Sequence, residues 1–221
     1  MEFEIADGRS YATLEISMDD GDRIGIDPGS MVTRSDTVRS ETNGGEGGLG
    51  GMFKRAISDE LDVLTTFLEA EADDSQVVLA PDYLGDIARL DLDETGAVKV
   101  QSGGLLAWTT DVERSTAANE AGNFFSSGEL TVLRLGGAGT AFVSAFGAVR
   151  EETVTAADPL VVDEDHLLAW TDGLSVSRTK DSSIKSSLLG GEGFVTRLEG
   201  DGRVWVQTRD PMVLFGGGGG N

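Results

Sequence analysis

Short runs in which apolar and polar residues alternate dominate this chain. Ala12-Thr13-Leu14-Glu15-Ile16, Arg23-Ile24-Gly25-Ile26-Asp27, Ala88-Arg89-Leu90-Asp91-Leu92 and Val98-Lys99-Val100 follow a period of two. Thr140-Ala141-Phe142-Val143 and Arg203-Val204-Trp205-Val206-Gln207 do the same. That period sends successive side chains to opposite faces of a strand, so each run predicts a half-buried β-strand. Gly, Asp or Pro clusters bound the runs at spacings of roughly ten residues, which predicts an antiparallel sandwich or barrel. Asp27-Pro28-Gly29 predicts a turn, because proline presets φ at its second position and glycine accepts positive φ at its third. Asp19-Asp20-Gly21-Asp22 and Gly136-Gly137-Ala138-Gly139 predict further hairpin connections. Helical signal is weak: Gly51-Met52-Phe53-Lys54-Arg55-Ala56-Ile57 could form one or two turns but lacks a sustained 3.6 period.

The runs also repeat. Leu105-Leu106-Ala107-Trp108-Thr109 returns 62 residues later as Leu167-Leu168-Ala169-Trp170-Thr171. Gly128-Glu129 with Leu133-Arg134-Leu135 returns as Gly191-Glu192 with Thr196-Arg197-Leu198. Self-similarity at this period predicts a duplicated supersecondary unit whose copies stack. A shorter match sets Glu60 with Val63-Leu64 against Glu129 with Val132-Leu133, and again against Glu192. The expected organisation is one β domain over residues 1–215. It holds repeats at about 98–149 and 160–211, a weaker copy within 1–95, and a flexible glycine tail at 216–221. An apolar pair precedes the Glu of each copy inside an otherwise polar stretch: Met52-Phe53, Phe124-Phe125 and Leu188-Leu189.

Charge adds an environment to this picture. The chain carries 39 acidic and 17 basic side chains, a net charge of −22, and four of the basic residues are lysines. The acid is spread along the whole chain, which points to salt adaptation more than to a docking face for a cationic partner. Self-repulsion of this size destabilises a compact state in dilute buffer. Molar salt shortens the Debye length to about 3 Å and relieves it. The expectation is a halophile's cytoplasm and a protein that loosens when desalted. Cysteine is absent, which excludes disulfides and thiolate chemistry. Met1-Glu2-Phe3-Glu4 predicts no signal peptide, and no apolar run approaches membrane-spanning length.

Five segments together resemble a known family. They are Asp27-Pro28-Gly29-Ser30-Met31-Val32, then Gly50-Gly51-Met52-Phe53-Lys54-Arg55, then Pro81-Asp82-Tyr83-Leu84-Gly85-Asp86-Ile87. Phe142-Val143-Ser144-Ala145-Phe146-Gly147 and the closing Gln207-Thr208-Arg209 complete the set. In this order they are similar to the landmarks of the altered-inheritance-of-mitochondria (AIM, number twenty-four) family, over about residues 1–212. The resemblance implies an all-β, internally duplicated TRAP-like fold, a sandwich of the double-stranded β-helix type. It also implies a ring-like homo-oligomer, with a trimer as the expected count, and no catalytic residues. Mitochondrial relatives are linked to inner-membrane organisation. The chain departs from the family pattern in its acidity and its glycine tail, and neither touches the landmarks.

Sites of other kinds are weakly supported. Gly45-Glu46-Gly47-Gly48-Leu49-Gly50 matches G-x-G-x-x-G, but lacks the flanking strand and helix a dinucleotide needs, and Lys54 does not complete a phosphate loop. His166 is the only histidine. Its repeat counterpart is Gly104, which predicts a surface or turn position beside the Trp170 strand. One histidine argues against a cupin-like metal centre and against a Ser-His-Asp triad. Glu151-Glu152 and Asp163-Glu164-Asp165 are adjacent carboxylates expected in so acidic a chain, and Asp19, Asp20 and Asp22 lack EF-hand spacing. Trp108 and Trp170 read as repeated core anchors. Nucleic acid requires a basic footprint that this chain lacks.

The feature with functional promise is the set of apolar pairs. Met52, Phe53, Phe124, Phe125, Leu188 and Leu189 either tuck under their own sheets or at a subunit interface, or form an exposed rim that docks a protein or a peripheral membrane surface. The resulting expectation is a non-catalytic, oligomeric scaffold in the cytoplasm, with no cofactor and no metal. The alternative is a small-ligand-binding protein that uses the cavity of a β-helix.

Overall fold

A computed structural model describes residues 1–8, 10–43, 65–116, 132–180 and 194–210. These residues form nineteen strands, all paired antiparallel within their sheets. In chain order they are β1 (Glu2–Ala6), β2 (Thr13–Met18), β3 (Arg23–Ile26), β4 (Met31–Arg34), β5 (Val38–Asn43), β6 (Thr65–Ala70) and β7 (Ser75–Leu79). There follow β8 (Gly85–Asp91), β9 (Val98–Gln101), β10 (Leu105–Thr109), β11 (Val112–Thr116), β12 (Val132–Gly137) and β13 (Thr140–Phe146). The last are β14 (Val149–Val154), β15 (Leu160–Asp163), β16 (Leu167–Thr171), β17 (Ser175–Lys180), β18 (Phe194–Glu199) and β19 (Gly202–Gln207). One helical turn, Leu92–Thr95, is capped by the Asp91 carboxylate accepting the Asp93 N–H and is stopped by Gly96 at positive φ. The all-β, antiparallel class predicted from the alternating runs is the observed one.

One ladder pattern occurs three times. β7 lies between β2 and β4, β13 between β8 and β10, and β19 between β14 and β16. Likewise β6 lies between β5 and β3, β12 between β11 and β9, and β18 between β17 and β15. The third strand of each such unit (β4, β10, β16) carries a bulge at the same place, between Met31 and Thr33, Leu105 and Ala107, and Leu167 and Ala169. A bulge admits one extra residue on one strand and bends it, so its position marks register. The pattern opens at β8 and β14, one strand before the sequence similarity becomes visible.

The units join by sharing sheets. β3 pairs with β10, giving a six-stranded sheet ordered β5-β6-β3-β10-β13-β8, and β9 pairs with β16, giving β11-β12-β9-β16-β19-β14. The two outer sheets are smaller: β1-β2-β7-β4 at the start and β15-β18-β17 at the end. Three cores lie between these layers. Leu106, Ala107 and Phe142 enter the first core, whereas Leu105, Trp108, Ala141 and Val143 enter the second. An inner sheet therefore buries both faces. That is why Leu-Leu-Ala-Trp runs without polar interruption, where a sheet with one wet face would alternate.

One glycine is fixed by this packing and another by a turn. Gly25 faces Trp108, and a Cβ there would fall inside the indole. Gly29 has φ of 107° in the Asp27-Pro28-Gly29 turn, as predicted.

Candidate interaction edges

The strands that finish the two outer sheets differ from their counterparts inside. β4 is exposed along its whole length, whereas β10 and β16 are buried at Leu105–Trp108 and throughout respectively. Its residues explain this. Met31, Val32, Thr33 and Arg34 stand where β10 has Leu105, Leu106, Ala107 and Trp108. Met31 is 42% and Val32 56% exposed. Arg34 folds back instead of packing, and its guanidinium donates to the Val38 carbonyl.

β15 is the other edge strand that lacks a neighbour where its counterparts have one among the described residues. Its counterparts β3 and β9 are each flanked on both sides, whereas β15 pairs with β18 alone among the described residues. Val161, 51% exposed, stands where β3 has Gly25 and β9 has Lys99. Exposed edges present unpaired N–H and C=O groups and template pairing with another strand. Sequence reasoning missed both edges. Their signal lies in register: Met-Val-Thr-Arg occupies the ladder position of Leu-Leu-Ala-Trp, and no similarity between the two strings reveals it.

The sequence-predicted sites resolve into structural roles. Trp108 is buried, with Phe67 edge-on at 6.4 Å and the Arg114 guanidinium 3.9 Å above it, and Trp170 is buried in the third core. His166 closes a 3-10 turn, and its Nδ1 is 2.7 Å from the Gln207 carbonyl oxygen. Glu151 and Glu152 do not converge. Glu151 accepts from the Trp205 indole at 3.1 Å, while Glu152 pairs with Arg150 at 3.1 Å. Asp163 accepts the Asp165 N–H, and Glu164 pairs with Arg178 at 2.9 Å. Asp22 accepts the Asp19 N–H, and the Asp20 N–H donates to Asp73, so two of the carboxylates near that acidic turn serve its backbone. Met52, Phe53, Phe124, Phe125, Leu188 and Leu189 lie outside the described residues, as do the G-x-G-x-x-G segment and the glycine tail. In sequence the three pairs fall between β5 and β6, β11 and β12, and β17 and β18, which are corresponding strands of the ladder pattern.

Asp172 bridges Lys99 at 3.0 Å and Arg134 at 2.7 Å across the β9–β16 joint. Burial would raise its pKa, but the hydrogen bonds and charges of Arg134 and Lys99 outweigh that and lower it. Asp27 and Asp165 are shifted the other way. Burial raises both, with Asp82 adding to Asp27, and Asp210 and Asp163 adding to Asp165. A groove of about 360 Å³ lined by Arg89, Asp91, Glu94, Thr95, Glu151, Arg203 and Trp205 is open and charged, unlike the sealed apolar cavity of a typical small-ligand site. Among the described residues no three acidic or imidazole side chains gather as a metal would require, and no helix is long and apolar enough to cross a membrane.

Three of the sequence landmarks meet in one hydrogen-bonded knot. Gly85 bridges Gly147, and the Gly147 N–H donates to the Leu84 carbonyl. Asp86 accepts the Val149 N–H, the Gln207 side chain accepts the Phe146 N–H at 3.0 Å, and the Thr208 hydroxyl accepts the Ala148 N–H at 2.9 Å. A family model described as mitochondrial biogenesis AIM24 matches residues 3–209. The chain belongs to the AIM24 family. It is 26% identical over 217 residues to an uncharacterized protein of Streptococcus pyogenes serotype M6, covering 94% of this chain and 86% of that relative. It also superposes on the crystal structure of a Streptococcus pyogenes protein with a TM-score of 0.78 at 24% identity, covering 97% of this chain and 96% of the other. That likeness establishes the fold. Three of the AIM24 landmarks thus have structural roles here, closing the junction between the second and third units.

Proposed function

We propose that this AIM24-family chain is a non-catalytic scaffold, an interaction protein that associates with itself and with a protein or peripheral membrane surface in a salt-rich cytoplasm. The observation that carries the reading is that β4 and β15, among the described residues, lack a neighbour where their counterparts have one, with Met31, Val32 and Val161 exposed. Three of the landmarks support it, because they serve hydrogen bonds between strands and stand outside the described groove. The charge of −22 disfavours nucleic acid as a partner and fits adaptation to high salt. The charged, open groove favours the scaffold over the small-ligand reading.

The test is a gentle lysate of the native cell in molar salt, fractionated into membrane and soluble pools and sized without denaturation. The scaffold reading expects the chain in particles well above its own 23.2 kDa, or with the membrane. Migration as a free 23.2 kDa chain in the soluble pool would overturn it. A membrane pool that is lost in the Phe124→Ser/Phe125→Ser variant would assign the docking to that apolar pair.

A further inference from the structure

The junction between the first and second units matches the one between the second and third. At the first, the Ala12 N–H donates to the Gly85 carbonyl at 3.0 Å; at the second, Gly85 bridges Gly147. By ladder position Glu15 of β2, Arg89 of β8 and Glu151 of β14 are counterparts. So are Phe142 of β13 and Trp205 of β19. One thing differs. β1 lies along β2, with Glu4 opposite Glu15 and Phe3 opposite Ile16. Among the described residues β8 has no such strand beside it. At that place lies the charged groove of about 360 Å³, with Arg89, Glu151 and Trp205 in its walls.

We propose that this groove docks an extended segment of a partner protein, which adds antiparallel to β8 as β1 adds to β2 and carries a basic side chain where β1 carries Phe3. The proposal rests on the scaffold reading and gives its partner a chemistry.

The backbone of β8 is turned for it. The Gly85 carbonyl accepts from Ala12, and the Asp91 carbonyl accepts from the Thr95 hydroxyl, so both point away from β13. In an antiparallel ladder alternate residues turn N–H and C=O to the same side. Ile87 and Arg89 therefore face outward as well. The Ile87 N–H is held by the Asp86 carboxylate at 3.0 Å, and Arg89 presents both of its backbone groups to an incoming strand. Strand addition of this kind takes affinity from the main chain and specificity from alternate side chains.

The side chains set that specificity. At the first junction Phe3 lies 4.9 Å from Phe142, and the Arg89 guanidinium stands 5.8 Å from the Phe3 ring. Arg89 also donates to Thr140. In the groove Glu151 takes the place of Arg89, and Arg203 takes that of Thr140. A cation in the place of Phe3 would meet the Glu151 carboxylate where the ring meets a guanidinium. Arg203 approaches Glu151 only to 3.6 Å, with both side chains nearly half exposed, so this existing pair is weak. The amino end of β1 is held by acid too, since the Met1 amino group lies 3.0 Å from Asp22. Asp91 is the counterpart of Ser17, which faces Glu2, and with Glu94 it lines the same end of the groove. The leading end of an added segment would meet those two carboxylates.

The experiment uses the purified full chain and a six-residue peptide of alternating valine and threonine with lysine third, a free amino end and a dye at its carboxyl end. Binding is read by fluorescence anisotropy in molar potassium chloride, where the diffuse attraction of the acidic surface is screened beyond about 3 Å. Saturable binding is expected, with the same peptide carrying glutamate third weaker by about fivefold or more. Glu151→Gln keeps an oxygen for the Trp205 indole and should erase that preference. Arg89→Pro removes the outward N–H without taking a bond from β13, and should abolish binding with an unchanged circular dichroism spectrum. Arg89→Ala, which loses only the side chain, should still bind. Absence of saturable binding to the wild-type chain overturns the proposal, as does equal binding of the two peptides. Binding that survives in a folded Arg89→Pro chain overturns strand addition. A peptide copying Met1–Ala6 that bound more tightly than the lysine peptide would give the groove to a second copy and overturn the basic partner. A chain that binds no peptide but runs in a large particle in the lysate would remove this site and leave the scaffold reading standing.

Discussion

Asp27 lies half-buried beside Asp82, and both influences raise its pKa, burial first. Ionising it therefore costs the folded chain more than the unfolded one. That cost sets in as pH rises through the ordinary carboxylate range and is complete above the raised folded value. Asp27→Asn is expected to raise the urea midpoint at pH 7 in dilute buffer. The gain should shrink in molar salt, which screens Asp82 but not burial, and vanish at pH values below the ordinary carboxylate range. A lower midpoint at pH 7 would show that the ionised carboxylate is stabilising where it sits. At this scale the sequence was partly legible. The equivalence of His166 with Gly104 predicted a turn, and both close 3-10 turns. The acid pair was illegible, because Asp27 and Asp82 are separated by four described strands before the fold brings them together.

Strands tell a different story at the level of elements. Runs with one wet face announced themselves by alternation: β2, with Leu14 and Ile16 buried around exposed Glu15, is an example. Where both faces are dry the alternation disappears, so β10 and β16 were visible as repeated apolar strings and not as strands of known orientation. The turn signals held, since Gly21, Gly137 and Gly139 all adopt positive φ. The helical turn at Leu92–Thr95 was missed, being too short for any period to show. Joints between units are also close-fitting. Gly25→Ala is expected to drive Trp108 out of place and to cost about 1–3 kcal/mol, the range for overpacking a dense core. The measurement is the urea midpoint together with tryptophan emission. An unchanged midpoint would mean that the indole has room to retreat, and the β3–β10 joint would then be looser than its geometry.

The molecule as a whole carries −22 charges on a framework of thin layers. Repulsion between them opposes compaction at every pH where the carboxylates are ionised. Melting temperature should therefore climb steeply as potassium chloride rises from millimolar to about 1 M, where the Debye length falls to about 3 Å, and more gently beyond. A melting temperature indifferent to salt would separate the acidity from stability and leave it as a matter of solubility. Composition makes the net charge legible at once, because charge is summed and needs no register. The family was legible from ordered landmarks, yet their purpose was not. Pro81 to Ile87, Phe142 to Gly147 and Gln207 to Arg209 are far apart in sequence and only the fold reveals that they form one knot.

Sharing a sheet between successive units has a consequence for synthesis. As the chain leaves the ribosome, β3 is made long before β10, and β9 long before β16. Each waits with a bare side until its partner strand arrives, because contacts distant in sequence cannot form before both halves exist. The nascent protein thus advances with one unfinished flank, closed by every new unit and reopened by the strand that follows. Translation delivers the partner for β3 and then the partner for β9. Among the described residues β15 takes no partner besides β18, so its other flank stays as bare as those of β3 and β9 were before their partners arrived.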